Sequence, residues 1–89
     1  MKLARVTGLV TGTIKAGQLT GQKLLIVDVV DAKGKVQEAS LVATDICGAG
    51  AGDTVLVVGG SAARLPSETA GTPTDATIVA IVDEIKLGA

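Results

Sequence analysis

The chain contains no phenylalanine, tyrosine, tryptophan or histidine, and only one cysteine and two prolines among its 89 residues. Without histidine there is no imidazole to act as a general base or acid, and an ordinary zinc ligand set cannot be completed. A single cysteine cannot close an internal disulfide. Without aromatic rings the interior must be assembled from Val, Ile, Leu and Ala, and a surface for single-stranded nucleic acid has nothing on which to stack bases. Neither sign of charge prevails: eight Lys and Arg against nine Asp and Glu give a net charge of −1. No strong field therefore attracts nucleic acid or an anionic membrane. No stretch approaches the roughly 20 apolar residues of a membrane span, and no apolar core of signal-peptide type develops after Lys2 and Arg5. A lone Cys47 fits a reducing compartment, which predicts a cytoplasmic protein.

What the chain does have is aliphatic residues and glycine: 47% of it is hydrophobic and 12 residues are Gly. A chain of this length forms one domain, residues 1–89, and buries only roughly 60–65% of the surface its unfolded form exposes. The core is thin. With disulfide and metal both excluded, oligomerisation is the remaining usual support for so small a fold.

Periodicity points to strands. From Leu3 to Ile14 the even positions are small or apolar, while the odd ones include Arg5, Thr7, Thr11 and Thr13. This is the period of a half-buried strand. Lys15–Gly21 reads as a loop. Lys23–Val30 is a strand rich in branched residues, ended by the turn signal Asp31-Ala32-Lys33-Gly34. Further strands are predicted at Val36–Thr44, Asp53–Val58 and Thr77–Leu87. A single helical turn is predicted at Ser61–Leu65, stopped by Pro66, and Ser67–Pro73 reads as a polar loop. The fold class expected is all-β: a small five-stranded, antiparallel OB-like barrel with one short helical turn.

The strands carry too much apolar surface for one interior. In Leu24–Val30 both rows are largely aliphatic around Asp28, and Val55–Val58 and Ile78–Val82 repeat the pattern. A second dry face on a soluble chain is most economically covered by another copy of the same chain. The competing reading is a monomer with scattered surface aliphatics.

The stretch CGAGAGDTVLVVGGSAAR, Cys47–Arg64, invites comparison with phosphate-binding loops. A Walker-type cradle needs Lys and Ser or Thr directly after the last glycine, and a dinucleotide loop needs a helix to follow. Here Asp53 follows Gly52, and the next segment is a strand. Both motifs fail, leaving a tight glycine turn where chains pack closely. Catalysis is equally poorly served, because Ser40, Ser61 and Ser67 have no histidine and Cys47 no evident base. A Gly60-Ser61 processing bond is the remaining catalytic option. Asp28, Asp31, Asp45, Asp53, Asp75 and Asp83 show no metal-loop spacing and read as turn caps or solvated groups. Arg64 ends the helical turn among small residues, where it either reaches an Asp such as Asp45 or Asp75 of another chain or stays in solvent.

Four blocks, MKLARVTGLVTGT, LTGQKLLIVDVVD, ATDICGAGAGDTVLVVGGSAAR and PTDATIVAIVDEI, carry a family likeness. Together they resemble the vertex proteins of bacterial microcompartments, the EutN/CcmL-like shell proteins of carboxysomes and ethanolamine-utilisation compartments. The resemblance covers nearly the whole chain. It implies a structural, non-enzymatic protein without cofactor or metal: an OB-like barrel forming a homopentamer at the vertices of a shell tiled by hexameric proteins, with no nucleic-acid or membrane partner. It also implies that Asp45, Gly48, Ala49, Gly50, Gly60, Ser61, Ala62 and Arg64 belong to loops that shape subunit contacts or an axial channel. The alternatives are a co-chaperonin-like ring that grips a large partner and an enzyme acting through Ser61 or Cys47.

Overall fold

The computed structural model describes residues 1–12 and 16–88. Strands β1 (Lys2–Val10), β2 (Lys23–Val30), β3 (Val36–Asp45), β4 (Thr54–Gly59) and β5 (Ala76–Ile81) form a closed barrel in the order β1-β2-β3-β5-β4. Closure leaves one interior, filled by one row of each strand. Ala4, Val6, Val27, Val55 and Ile78 are each at most 2% exposed and form its centre with Leu25, Ala43 and Val57. Small aliphatic side chains suit a space this narrow, and an aromatic ring would overfill it.

The structure departs from the expected architecture at several points. The barrel is not wholly antiparallel, because β3 and β5 pair in parallel through Thr44↔Thr77 and Asp45↔Ile78. This short ladder closes the cylinder. The last strand was expected to reach Leu87, yet β5 ends at Ile81. Val82 still donates its N–H to the Thr54 carbonyl at 2.8 Å, but β4 begins at Thr54, so the next residues have no strand to pair with. The first strand ends at Val10, and Ile14 lies outside the described residues. The helical turn is a 3-10 turn over Gly60–Arg64, and a second over Ser67–Thr69 interrupts the expected polar loop.

The aspartates that break the apolar strands and turns act as caps. Asp31 accepts the N–H groups of Lys33 and Lys35, both at 2.9 Å, in the β2–β3 turn. Asp28 accepts the N–H of Ser40 at 3.0 Å, where Ser40 has φ 61°, a left-handed conformation uncommon outside glycine. The β2–β3 register shifts between Val27 and Val29, and this carboxylate holds the irregularity in place.

The rows facing away from the core remain apolar on two separate flanks. On the first, Val10 pairs with Leu24 and Ile26 pairs with Val42. Leu24 and Ile26 are half-buried and Val42 is 46% exposed. On the second, Leu56 is flanked by its register partners Leu3 and Ala80, all half-buried. The first flank draws on the end of β1 with β2 and β3, and the second on the start of β1 with β4 and β5.

Ile78 is fully buried at the centre of the core. Ile78→Ala is therefore expected to destabilise the barrel by roughly 2–5 kcal/mol, read as a lower urea midpoint with an unchanged slope. A loss below about 1 kcal/mol would show that the core is not packed around this side chain.

Candidate functional site: the loops at the barrel ends and the outer flanks

The glycine loop between β3 and β4 is folded around a carboxylate of its own. The side chain of Asp45 is 0% exposed. Its oxygens accept the N–H of Cys47 at 2.9 Å and the N–H of Ala49 at 2.8 Å. Lys23, on the neighbouring strand β2, places Nζ 3.2 Å from Asp45 Oδ2 and donates to the Ala49 carbonyl at 2.6 Å. The loop amides thus surround an anion as a phosphate-binding loop would, with the anion supplied by the protein. No place is left for a phosphate.

A second aspartate closes the other end of the loop. Asp53 Oδ2 accepts the Gly50 N–H at 2.9 Å, and the Asp53 N–H returns to the Gly50 carbonyl at 3.0 Å. Gly52 and Asp53 are also bonded to Val6 of β1, through Gly52 N to Val6 O and Val6 N to Asp53 O, both 2.9 Å. Gly48 at φ 78° and Gly52 at φ 91° supply the left-handed turns this path requires. Ala49 is 1% exposed and packs with the core. Asp45 and Ala49 therefore hold the loop from inside, while Gly48, Gly50 and Ala51 form its exposed surface.

The second stretch, Gly60–Arg64, leaves the opposite end of β4. The Gly60 N–H bonds to the Asp75 carbonyl at 3.0 Å. The Ala63 carbonyl accepts the hydroxyls of Thr69 and Thr77, both at 2.7 Å and both fully buried. Among the described residues every buried side-chain N or O atom has a hydrogen-bond partner. The turn is thus fixed by threonines that the sequence reading passed over. Arg64 is exposed, and its Nη1 donates to the Thr74 carbonyl at 3.2 Å. The Asp45 carboxylate is enclosed in its own loop and is not available to an arginine of another chain; Asp75 is exposed.

The chemistry available to these loops is slight. Cys47 Sγ donates to the Ile78 carbonyl at 3.6 Å. Burial, and then the charges of Asp45 and Glu68, push the thiol above its ordinary pKa. This is the reverse of an activated nucleophile, which needs a stabilised thiolate. Two surface hollows of about 430 and 550 Å³ are both lined by Met1, Lys2 and Glu38 among others, and neither includes Ser61 or Cys47. Among the described residues no three Asp, Glu or Cys side chains gather as a metal site would require, and no helix is long and apolar enough to cross a membrane.

A family model described as ethanolamine utilisation protein EutN/carboxysome matches residues 1–83. The chain belongs to this EutN/CcmL family. It is 45% identical to the carboxysome shell vertex protein CcmL of a Synechocystis strain, over 98% of this chain and 87% of that one. It is 42% identical to the microcompartment shell vertex protein EutN of Salmonella typhimurium, over 99% of this chain and 89% of that one. Its barrel superposes with a TM-score of 0.88 on GrpN, a pentameric microcompartment shell protein from Rhodospirillum rubrum, at 36% identity over the full length of both. The resemblance read from the four sequence blocks is that of the family, and the OB-like barrel is its fold.

If Asp45 organises the glycine loop, Asp45→Ala leaves two loop amides without their acceptor. Hydrogen bonds to a charged group contribute about 1.5–3 kcal/mol each, so a loss of roughly 3 kcal/mol or more is expected in urea unfolding. Lys23→Met should cost less than Asp45→Ala, because the Lys23 side chain is 44% exposed and the Asp45 carboxylate keeps its two amide donors. Equal effects of the two substitutions would contradict this division of labour.

Proposed function

We propose that the chain is a structural shell protein whose homopentamer closes the vertices of a polyhedral bacterial microcompartment, joined there to hexameric facet proteins. The observation that carries this reading is the pair of unlike apolar flanks. A cyclic ring with more than two members joins subunits head to tail, so each copy must offer two different surfaces. The Leu24–Ile26–Val42 flank and the Leu3–Leu56–Ala80 flank are two such surfaces. The description of GrpN as pentameric, and of CcmL and EutN as shell vertex proteins, supports the same conclusion.

The work done is geometrical. A flat sheet of hexagonal units has no curvature and cannot close on itself, whereas a fivefold unit removes one wedge and bends the sheet into a corner. Neither a cofactor nor a reaction is needed for that, and the loops described above are built for shape. In this reading Gly48, Gly50, Gly60, Ser61, Ala62 and Arg64 supply loop surface between neighbours or along the axis. Asp45 and Ala49 serve those contacts indirectly, by fixing the loop. Glycine and alanine at such positions let chains converge where larger side chains would collide.

Co-expression with hexameric facet proteins tests the reading. Closed polyhedral shells are expected by electron microscopy, and open sheets when the chain is omitted or carries Leu56→Asp, which places a charge on the second flank. Shells that close equally well without the chain would contradict the proposed role.

A further inference from the structure

One main-chain edge of this barrel is left open. Along one side β3 pairs with β2 from Val36 to Asp45, but on the other it meets β5 only at Thr44 and Asp45. Among the described residues the outer edge of 36–43 therefore has no strand beside it, and Val36–Ser40 are exposed. An open edge is a template on which another chain can add a strand. The composition of this one gives little protection: residues 36–43 read VQEASLVA, without proline and with Glu38 as the only charge.

Protection comes from the backbone. Val27 pairs with Leu41 and Val29 with Glu38, so Asp28 alone stands opposite both Ala39 and Ser40. Val30 then pairs with Val36, which leaves Gln37 as another extra residue. Such insertions bend an edge and break the regular spacing of its N–H and C=O groups. Ser40 sits at the first bulge with φ 61°, a conformation that costs a residue with a side chain more than it costs glycine. Asp28 Oδ1 accepts the Ser40 N–H at 3.0 Å, which both holds that conformation and occupies the donor.

Asp28 is otherwise out of place, the only charge in the aliphatic run Leu24–Val30. Arg5 is its register partner on β1, yet the two form no ion pair. The bond to Ser40 is the contact that gives this carboxylate a role.

We propose that the Asp28–Ser40 bulge decides which surfaces of this chain meet in assembly. It bars strand-to-strand pairing of β3 edges between copies and leaves association to the two aliphatic flanks. The barrier at the edge stands whether or not a ring forms; the route through the flanks rests on the ring proposed above.

Straightening the edge tests it. In Asp28→Thr/Ser40→Thr the acceptor is lost and a β-branched residue disfavours the left-handed turn, while both positions stay polar. This variant is expected to give fibrillar or polydisperse material in sedimentation velocity, with thioflavin fluorescence about tenfold or more above that of the unmodified chain. Ser40→Gly keeps the turn without a Cβ and is expected to sediment as the unmodified chain does. Adding Ala39→Lys to the double variant places a second charge on the edge and is expected to restore discrete species. A double variant as discrete as the unmodified chain would overturn the proposal. So would aggregation that Ala39→Lys leaves unchanged, because that would come from unfolding rather than from the edge. Native mass of the unmodified chain judges the ring separately: a single-chain mass would overturn the ring and the route through the flanks, and leave the edge barrier to be judged by the double variant.

Discussion

A five-stranded barrel has one inside, and this chain places aliphatic residues on both rows of its strands. The rest of the structure follows from that constraint. Val55 and Val57 are buried in the core, while Leu56 between them faces outward beside Leu3 and Ala80. The same division places Leu25 and Val27 inside and Leu24 and Ile26 outside. A core without aromatic rings contributes less burial than most domains of this size obtain, so covering the outer rows also completes the hydrophobic effect that folding began. In the proposed ring, assembly and stability draw on the same side chains.

The loops are the second requirement. Contacts made by glycine-rich segments are useful only if those segments hold one shape, and glycine by itself favours many. Here rigidity comes from polar side chains of the same chain. Asp45 gathers two amides and the Lys23 ammonium, Asp53 closes the other end, and buried Thr69 and Thr77 hold the Gly60–Arg64 turn by its carbonyl. An arrangement that resembles an anion site is thereby a structural latch, and a half-buried thiol beside it is kept protonated rather than reactive.

Much of the architecture was legible in the chain because local signals agreed. Lys23–Val30 begins after the Gly21-Gln22 pair and ends before the capping Asp31, and its limits were read correctly from those residues. The apolar flanks were legible too, since a period of two shows both rows at once. What could not be read depends on distant partners. The segment after Ile81 alternates as convincingly as β5 itself, and only the start of β4 at Thr54 explains why the ladder stops. The parallel β3–β5 pairing depends on contacts more than 30 positions apart in sequence, roughly the span from Thr44 to Thr77. Asp45 was singled out as a possible contact between chains, yet its carboxylate faces inward. The signal that would have shown this is an Asp two residues before a Cys-Gly-Ala-Gly run, a spacing suited to side-chain capping of loop amides. Thr69 and Thr77 carried no such signal, because a threonine in a polar loop or on a strand is unremarkable until its hydroxyl finds a buried carbonyl.

The account stands on the outer flanks being covered by sister chains. Sedimentation equilibrium of the purified chain at micromolar concentration measures this most directly. The account predicts a mass of five chains that persists in high salt, since aliphatic contacts are not screened. A folded species of single-chain mass under the same conditions would contradict it.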